Sequence, residues 1–261
     1  MKDVNCKVKS LYKALSLLSY FGEEHKEAGI TELAEYSGML KSSVCNIMQT
    51  FEQCGYVVQN TETRKYMLGG EIISLFSKYK STRSIDYQVI ENLQHLRDQF
   101  KTSVYLMERG TKDTVVVCAE QITTGIADKS LKEGVRLPLY CTAAGKIFMG
   151  FSRIEDRIIM DDILLEKHTA HTITTKEELE RELEHVVYEG YATSNEEYKE
   201  KCFSVAVPVI VNGYADYAIE MIFSEPISAY LMKKYVSEMK YIGREIGSML
   251  GVGRTRSNRS I

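Results

Sequence analysis

The sequence predicts an α+β protein, with a helical N-terminal part that ends in a small hairpin and a C-terminal half that mixes helices with antiparallel strands. Apolar residues repeat at helical spacing through most of the first hundred residues. After residue 101, short apolar runs bounded by turn residues replace that pattern, and Asn212-Gly213 is a strong hairpin turn. A length of 261 residues suits two domains.

The composition is that of an ordinary soluble protein, with 44% hydrophobic and 26% charged residues. No apolar run approaches the roughly 20 residues that span a bilayer, and the charged N-terminus is a poor secretory signal. We therefore expect a cytoplasmic protein with no membrane partner. The net charge of −3 does not indicate a nucleic-acid partner, so any basic surface must be local.

The cysteines and histidines predict neither a metal site nor a cofactor. Six cysteines are present, but no two lie within four residues of each other, which excludes zinc-finger spacing. His168 and His171 are close in sequence but lack a third ligand at a recognisable spacing, so we expect a solvated loop there.

Two short helices are predicted first. Apolar residues at 3-4-3 spacing predict an amphipathic helix: Val8, Leu11, Leu15 and Leu18. The segment ITELAEYSG predicts a second helix with Thr31 as its N-cap and with Leu33 and Ala34 facing inward.

The third helix, in KSSVCNIMQTFEQCG, has two contrasting faces. One face is apolar and predicted to be buried: Val44, Ile47, Met48 and Phe51. The other carries short polar side chains of the kind that bind phosphates and base edges: Ser42, Ser43, Asn46, Gln49 and Gln53. A solvated face is more often rich in Glu and Lys, so this one favours DNA recognition.

A hairpin follows, with a turn at 60–63 and with Arg64 and Lys65 at its tip. Three helices and a hairpin in this order predict a winged helix-turn-helix, although a small protein-binding module has the same order. The candidate DNA-binding residues are Thr31, Lys41, Ser42, Ser43, Asn46, Gln49, Arg64 and Lys65.

The connection between the halves is also predicted to be helical. Two apolar stripes, one beginning at Ile72 and the other at Ile85, predict helices that either form a dimer contact or pack on their own domain. We place the winged helix-turn-helix at 1–78, the linker helix at 79–100, the second domain at 101–251 and a disordered tail at 252–261.

In the second domain, CTAAGKIFMGF predicts a helix with Thr142 as its N-cap. The small residues Ala143, Ala144 and Gly145 either leave backbone N–H groups open to an anion or allow close packing on a sheet. Thr175 and Glu178 form a capping box, whereas YATSNEEY is predicted to be a loop.

The stretch ITELAEYSGMLKSSVCNIMQTFEQCGYVVQNTETRKYMLGGEIISL resembles the IclR family of bacterial transcription regulators. The resemblance continues through RLPLYCTAAGK, TITTKEELERELEHVVYEGYA, NEEY, SVAVPV and FSEPIS. It implies a GAF/PAS-like effector-binding domain and a homodimer or tetramer on a pseudo-palindromic operator. Two positions depart from the family's pattern: Asn46 stands where Arg is frequent, and Cys45 where His is frequent.

The resemblance also implies an effector site for a small carboxylate. Backbone donors fall at Ala143 and Ala144, and a loop acceptor falls at Ser194 or Asn195. Strand positions complete the site: Ser204, Ile222 and Ser224. The expected function is a DNA-binding repressor modulated by a small organic acid. The alternatives are a regulator whose second domain only oligomerises, and a small-molecule enzyme; the motifs GxSxG, GxGxxG and HExxH are missing, and no catalytic residue is expected.

Overall fold

The computed structural model describes residues 6–22, 24–83, 85–110, 113–121, 131–151 and 163–257. The chain divides into two compact units, residues 1–81 and 82–261. No helix within these described ranges is long and apolar enough to cross a membrane.

The first unit is a set of helices followed by a two-stranded hairpin. Its elements are α1 (Lys9–Leu18), α2 (Ile30–Ser37), α3 (Lys41–Gln53), β1 (Val57–Gln59), β2 (Tyr66–Leu68) and α4 (Glu71–Thr82). The predicted inner face of α3 is confirmed, since Val44 and Met48 are fully buried and Ile47 and Phe51 pack against the same core. Two backbone hydrogen bonds between Ala28 and Tyr66 attach the hairpin to the segment before α2.

The stripe predicted on α1 lies mostly in solvent. Val8, Leu11 and Leu15 are each more than half exposed, at 55%, 56% and 52%. Leu17 and Phe21 enter the core instead. The periodicity correctly identified an amphipathic helix, but this unit leaves most of the apolar face of that helix uncovered.

The prediction of Thr31 as the N-cap of α2 is wrong. The helix begins at Ile30, one residue earlier, and Gly29 is the N-cap. The Gly29 N–H donates to Glu32 Oε2 at 2.6 Å, so the acidic side chain of the first turn supplies the cap. Thr31 is exposed within that first turn.

Both helices predicted from the stripes that begin at Ile72 and Ile85 are present, so the linker placed at 79–100 is not one continuous helix. The first, α4, ends at Thr82, and α5 (Tyr87–Phe100) begins after Asp86, whose carboxylate accepts from the N–H groups of Gln88 and Val89. The apolar stripe of α5 is buried in the second unit. Of the two roles considered for the stripes, packing on its own domain therefore holds for α5, whereas α4 has no buried residue.

The second unit is a six-stranded antiparallel sheet with helices on both faces. Its further elements are β3 (Ser103–Arg109), β4 (Asp113–Glu120), β5 (Arg136–Pro138), α6 (Ala143–Gly150), α7 (Lys176–Glu189), β6 (Ala192–Asn195), β7 (Phe203–Val211), β8 (Tyr214–Phe223) and α8 (Ala229–Ser257). The strand order is β5-β4-β3-β8-β7-β6. One face is covered by α6 with α7 beside it, and the other by α5 and α8.

Two predictions in this unit are corrected. The polar segment after α7 begins with the edge strand β6 rather than a loop, because an edge strand needs only one apolar face. The predicted tail at 252–261 is helical as far as Ser257, and 258–261 lie outside the described residues. Since α8 already packs on β7 and Leu250 is still buried, extending the helix needs no new nucleation, and each glycine costs only about 1 kcal/mol.

Candidate functional site: a nucleic-acid interface and a ligand cavity

The N-terminal end of α3 is suited to binding an anion. Its N-cap, Leu40, provides no side-chain cap, and the first turn holds no acidic residue. The helices α5, α6 and α7, by contrast, are each capped by a side chain, from Asp86, Thr142 and Thr175 respectively. The exposed first turn of α3 therefore offers N–H donors at the positive end of the helix dipole.

The polar residues predicted on α3 do share one exposed surface. Lys41, Ser42, Ser43, Asn46 and Gln49 are all exposed, opposite the buried face. Hydroxyl and amide groups on an exposed helix face are free to contact phosphates at the start of the helix and base edges along it.

The hairpin tip is held by side-chain hydrogen bonds. Asn60 Oδ1 accepts from the N–H groups of Glu62 and Thr63 at 2.9 and 3.2 Å. The Thr63 hydroxyl donates to Glu27 Oε2 at 3.1 Å. Arg64 adopts a positive φ of 56° next to this turn, and its side chain is exposed. Hydrogen bonds therefore fix the backbone of the wing next to Arg64, and the Arg64 side chain is exposed to solvent.

Lys65 has a different environment from its neighbour Arg64. Its Nζ lies 3.2 Å from Glu32 Oε1 on α2. The pKa of Glu32 is lowered by the Gly29 N–H and by this ammonium group. Lys65 thus already has a carboxylate partner within the unit.

A cavity of about 50 Å³ lies in the second unit, on the side of the sheet that carries α6. Its walls come from β5, the start of α6, the segment 198–202 and the three strands β6, β7 and β8. The lining residues are Leu131, Leu137, Thr142, Ser194, Tyr198, Lys199, Cys202, Ser204, Glu220 and Ile222.

Three predicted effector-site residues line this cavity, and strand register explains why. Ser194 on β6 lies opposite Ser204 on β7, and Ser204 lies opposite Ile222 on β8. Directly opposed residues face the same side of a sheet. The Ser194 hydroxyl donates to the Cys141 carbonyl at 2.9 Å, which connects β6 to the chain before α6.

Two predicted residues do not line the cavity. Ser224 lies beyond the end of β8 and is exposed, and the side chain of Asn195 at the end of β6 is exposed as well. Side chains alternate along a strand, so the residue that shares a face with Ile222 within β8 is Glu220, two positions earlier.

Ala143 and Ala144 occupy the first turn of α6 and are fully buried. Thr142 is confirmed as the N-cap, since its hydroxyl accepts from the Gly145 N–H at 3.2 Å. A Cβ at Gly145 would clash with the Leu139 carbonyl. Close packing therefore accounts for Gly145.

Glu220 also lines the cavity, although the sequence did not predict it there. Its side chain is only 2% exposed, and this burial raises the pKa of its carboxyl to about 7. Hydrogen bonding from the Ser204 hydroxyl and from the N–H groups of Ala144 and Ala143 acts in the opposite direction. The backbone donors predicted for a ligand thus face a carboxyl of the protein itself. An acid in the middle of the apolar strand YADYAIEMIF was the available signal.

A buried ion cluster anchors the cavity wall. Lys146 on α6 is 1% exposed, and its Nζ lies 2.6 Å from Glu197 Oε1, 3.0 Å from Glu182 Oε1 and 3.0 Å from the Thr193 carbonyl. Burial raises the pKa of Glu197, while Lys146 opposes that rise. The cluster joins α6, α7 and β6 to the segment that carries Tyr198 and Lys199.

The histidine pair lies beside the same segment. The Tyr140 hydroxyl donates to the Glu166 carbonyl at 2.8 Å and lies 2.9 Å from His168 Nε2, and the His168 ring stands edge-to-face to Tyr198. His171 Nε2 is 3.8 Å from Glu196 Oε2. Across the described ranges, no three His, Cys, Asp or Glu side chains are grouped in a way that could hold a metal ion.

Comparison with known proteins decides the family. Residues 78–240 match the family described as bacterial transcriptional regulator IclR C-terminal, and residues 10–61 match the IclR helix-turn-helix domain. The chain belongs to the IclR family. It is therefore a DNA-binding transcription regulator, and the family predicted from the sequence is confirmed.

Individual members of the IclR family are similar over most of the chain. The HTH-type transcriptional regulator KdgR of Escherichia coli is 30% identical, over 94% of this chain and 93% of its own. The DNA-binding transcriptional repressor YiaJ of Escherichia coli is 26% identical, over 82% and 78%. A crystal structure of an IclR homologue from Microbacterium hydrocarbonoxydans, complexed with 4-hydroxybenzoate, superposes with a TM-score of 0.77 at 13% identity, covering 92% and 98% of the two chains.

Proposed function

We propose that this IclR-family regulator is a repressor whose affinity for its operator changes when a small molecule occupies the cavity of the second unit. The observation that carries the proposal is the cavity itself, which is lined by a helix start, three strands and an anchored segment. The repressor named YiaJ and the homologue complexed with 4-hydroxybenzoate support the two halves of the proposal.

At the DNA, α3 enters the major groove. Asn46 and Gln49 contact base edges, because residues of the exposed helix face reach the groove floor. Lys41, Ser42 and Ser43, with Thr31 on α2, contact phosphates near the uncapped helix start. Arg64 contacts the flanking backbone or minor groove from the wing. Lys65 contacts the DNA only if its ion pair with Glu32 is broken.

The regulator acts as a homodimer or a tetramer on a pseudo-palindromic operator. Apolar side chains on α1 and α4 support this assembly, since Leu11 and Leu15 are more than half exposed and Ile73 is 73% exposed. Such side chains on neighbouring turns mark a contact surface. Leu11→Glu should lower the oligomeric state of the chain in sedimentation, whereas Lys13→Glu on the same helix should not.

Two measurements test the proposed regulation. Footprinting on DNA upstream of the gene should show two half-sites about one helical turn, or a multiple of it, apart. A thermal-shift screen of the full chain against polar metabolites should find a stabilising ligand, because saturation at a hundred times Kd adds about 2.7 kcal/mol. That ligand should then release the operator.

A screen without any stabilising ligand would favour the other candidate, a DNA-binding regulator whose second domain only oligomerises. The small volume of the cavity is the observation that favours this candidate. A ligand that binds without changing operator affinity would overturn the regulatory proposal.

A further inference from the structure

We propose that the ligand of this cavity is a hydroxylated compound that donates a hydrogen bond to Glu220, and that Glu220 excludes a ligand carboxylate from the start of α6. The inference rests on the proposed function, which it narrows from a small polar molecule to one class. It also replaces the carboxylate that the sequence resemblance implied.

Glu220 occupies the place that an anionic ligand would take. Glu220, Ser204 and the α6 N-cap Thr142 line one cavity. The Ser204 hydroxyl and the first-turn N–H groups of Ala143 and Ala144 are near enough to the Glu220 carboxyl to lower its pKa. Such a helix start ordinarily attracts an external anion. Because Glu220 brings a carboxyl to these donors from β8, a ligand carboxylate there would sit against a second acidic group in a nearly water-free site.

The carboxyl has an unused hydrogen-bonding position. Glu220 Oε2 is buried and has no hydrogen-bond partner among the described residues. A buried acceptor without a partner is costly, and a ligand group that donates to it removes that cost. Because Glu220 lines the cavity, such a group can reach it.

Two further hydroxyl groups of the wall have already used their protons. The Ser194 hydroxyl donates to the Cys141 carbonyl at 2.9 Å, and the Thr142 hydroxyl donates to the Pro138 carbonyl at 2.7 Å. A hydroxyl has one proton to donate, so both groups can only accept from a ligand. The buried part of the wall beside Glu220 therefore offers acceptors and matches a ligand with hydroxyl donors, whereas the donors Tyr198 and Lys199 lie on the exposed segment of the wall.

Two probes with the same number of heavy atoms separate the ligand classes. Propane-1,2-diol carries two hydroxyl groups, and propionate carries a carboxylate and no hydroxyl. Each is titrated at pH 8 into the full-length protein, and the backbone amide resonances of Ala143 and Ala144 are followed by NMR. We expect the diol to bind the wild type at least about tenfold more tightly than propionate.

Variants at Glu220 test the cause of this preference. Glu220→Gln keeps the shape and removes the charge, so diol affinity should fall about tenfold. Glu220→Ala empties the place beside the α6 N–H groups, so propionate affinity should rise about tenfold over the wild type. Glu225→Gln, an exposed glutamate just beyond β8, is the matched control and should change neither affinity.

The outcomes distinguish this inference from the proposed function. Two results would overturn the role of Glu220 but leave effector binding intact. One is that propionate binds the wild type as tightly as the diol does. The other is that Glu220→Ala folds but binds propionate no more tightly than the wild type does. If Glu220→Ala does not fold, Glu220→Gln decides the question: an unchanged affinity for the diol in that variant overturns the role of Glu220. Binding of neither probe to the wild type or to Glu220→Ala overturns both the inference and the cavity as an effector site.

Discussion

Lys146 Nζ lies 2.6 Å from Glu197 Oε1, with both side chains almost excluded from water. Removing one member of a buried pair leaves an uncompensated charge, which costs about 3–5 kcal/mol. We expect Lys146→Met to lower the free energy of unfolding of the second unit by that amount, measured by urea denaturation. Lys167→Met, at an exposed position, should change it by less than about 0.5 kcal/mol.

A double variant separates the missing charge from the missing packing. Lys146→Met combined with Glu197→Gln leaves neither charge of the pair, so it should be more stable than Lys146→Met alone. If Lys146→Met alone matched the wild type in stability, the cluster would not anchor the cavity wall.

Glu220 makes the stability of the protein depend on pH. Its pKa of about 7 in the folded state exceeds the ordinary value of 4.5, so the folded protein binds more protons between these pH values. Stability contributed by the protonated carboxyl is therefore present below pH 4.5 and lost as the pH rises through 7. From pH 5 to pH 8, the unfolding free energy of Glu220→Gln should rise by about 2–3 kcal/mol relative to that of the wild type.

The comparison with the wild type isolates Glu220 from its titratable neighbours. Tyr198, Lys199 and Cys202 line the same cavity, and Tyr105 lies opposite Glu220 on β3. These groups are present in both proteins, so their contributions cancel to first order. A stability difference between Glu220→Gln and the wild type that stayed constant with pH would show that the Glu220 carboxyl titrates normally.

Most elements could be predicted from the sequence because their signals are local. The apolar spacing of Val44 and Met48, the Thr142 cap and the Asn212-Gly213 turn each depend on a few neighbouring residues, and the structure confirms all three. The α1 stripe was harder to interpret. Spacing identifies an apolar face but does not show whether the same unit covers it, and Leu11 and Leu15 remain exposed.

The cavity could be predicted only in part because it depends on strand register. The predicted Ser194, Ser204 and Ile222 meet across three strands. Extending the site to Ser224 failed because β8 ends at Phe223. Glu220 lies 76 positions from Ala144 in sequence, and only the packing of α6 on the sheet reveals that the two meet.

The wing offers a direct comparison between two adjacent basic residues. Arg64 is exposed, whereas Lys65 is paired with Glu32. Arg64→Ala should weaken binding to all duplexes and flatten the slope of log affinity against log salt by about 0.9 for each phosphate that the variant no longer neutralises. Lys65→Ala should have the smaller effect, measured by fluorescence anisotropy at low and at near-physiological salt. A larger effect of Lys65→Ala would mean that Lys65 exchanges Glu32 for a phosphate on DNA.

Asn46 is expected to read sequence rather than to supply affinity for DNA in general. It lies on the exposed face of α3, seven residues before Gln53 on the same helix. A good bidentate contact to a base is worth about 1–3 kcal/mol of discrimination. Asn46→Ala should therefore reduce affinity for the operator by roughly that amount and leave affinity for a scrambled duplex unchanged.

Gln53→Ala is the matched control for Asn46→Ala. Both positions are polar and exposed, but Gln53 ends the helix, whereas the N-terminal part of a recognition helix contacts the bases. Gln53→Ala should leave the preference for the operator over the scrambled duplex unchanged. Both variants should keep the wild-type melting temperature, because exposed polar side chains contribute little to stability. An equal fall in affinity for both duplexes in Asn46→Ala would assign Asn46 to the phosphate backbone and leave base reading to Gln49.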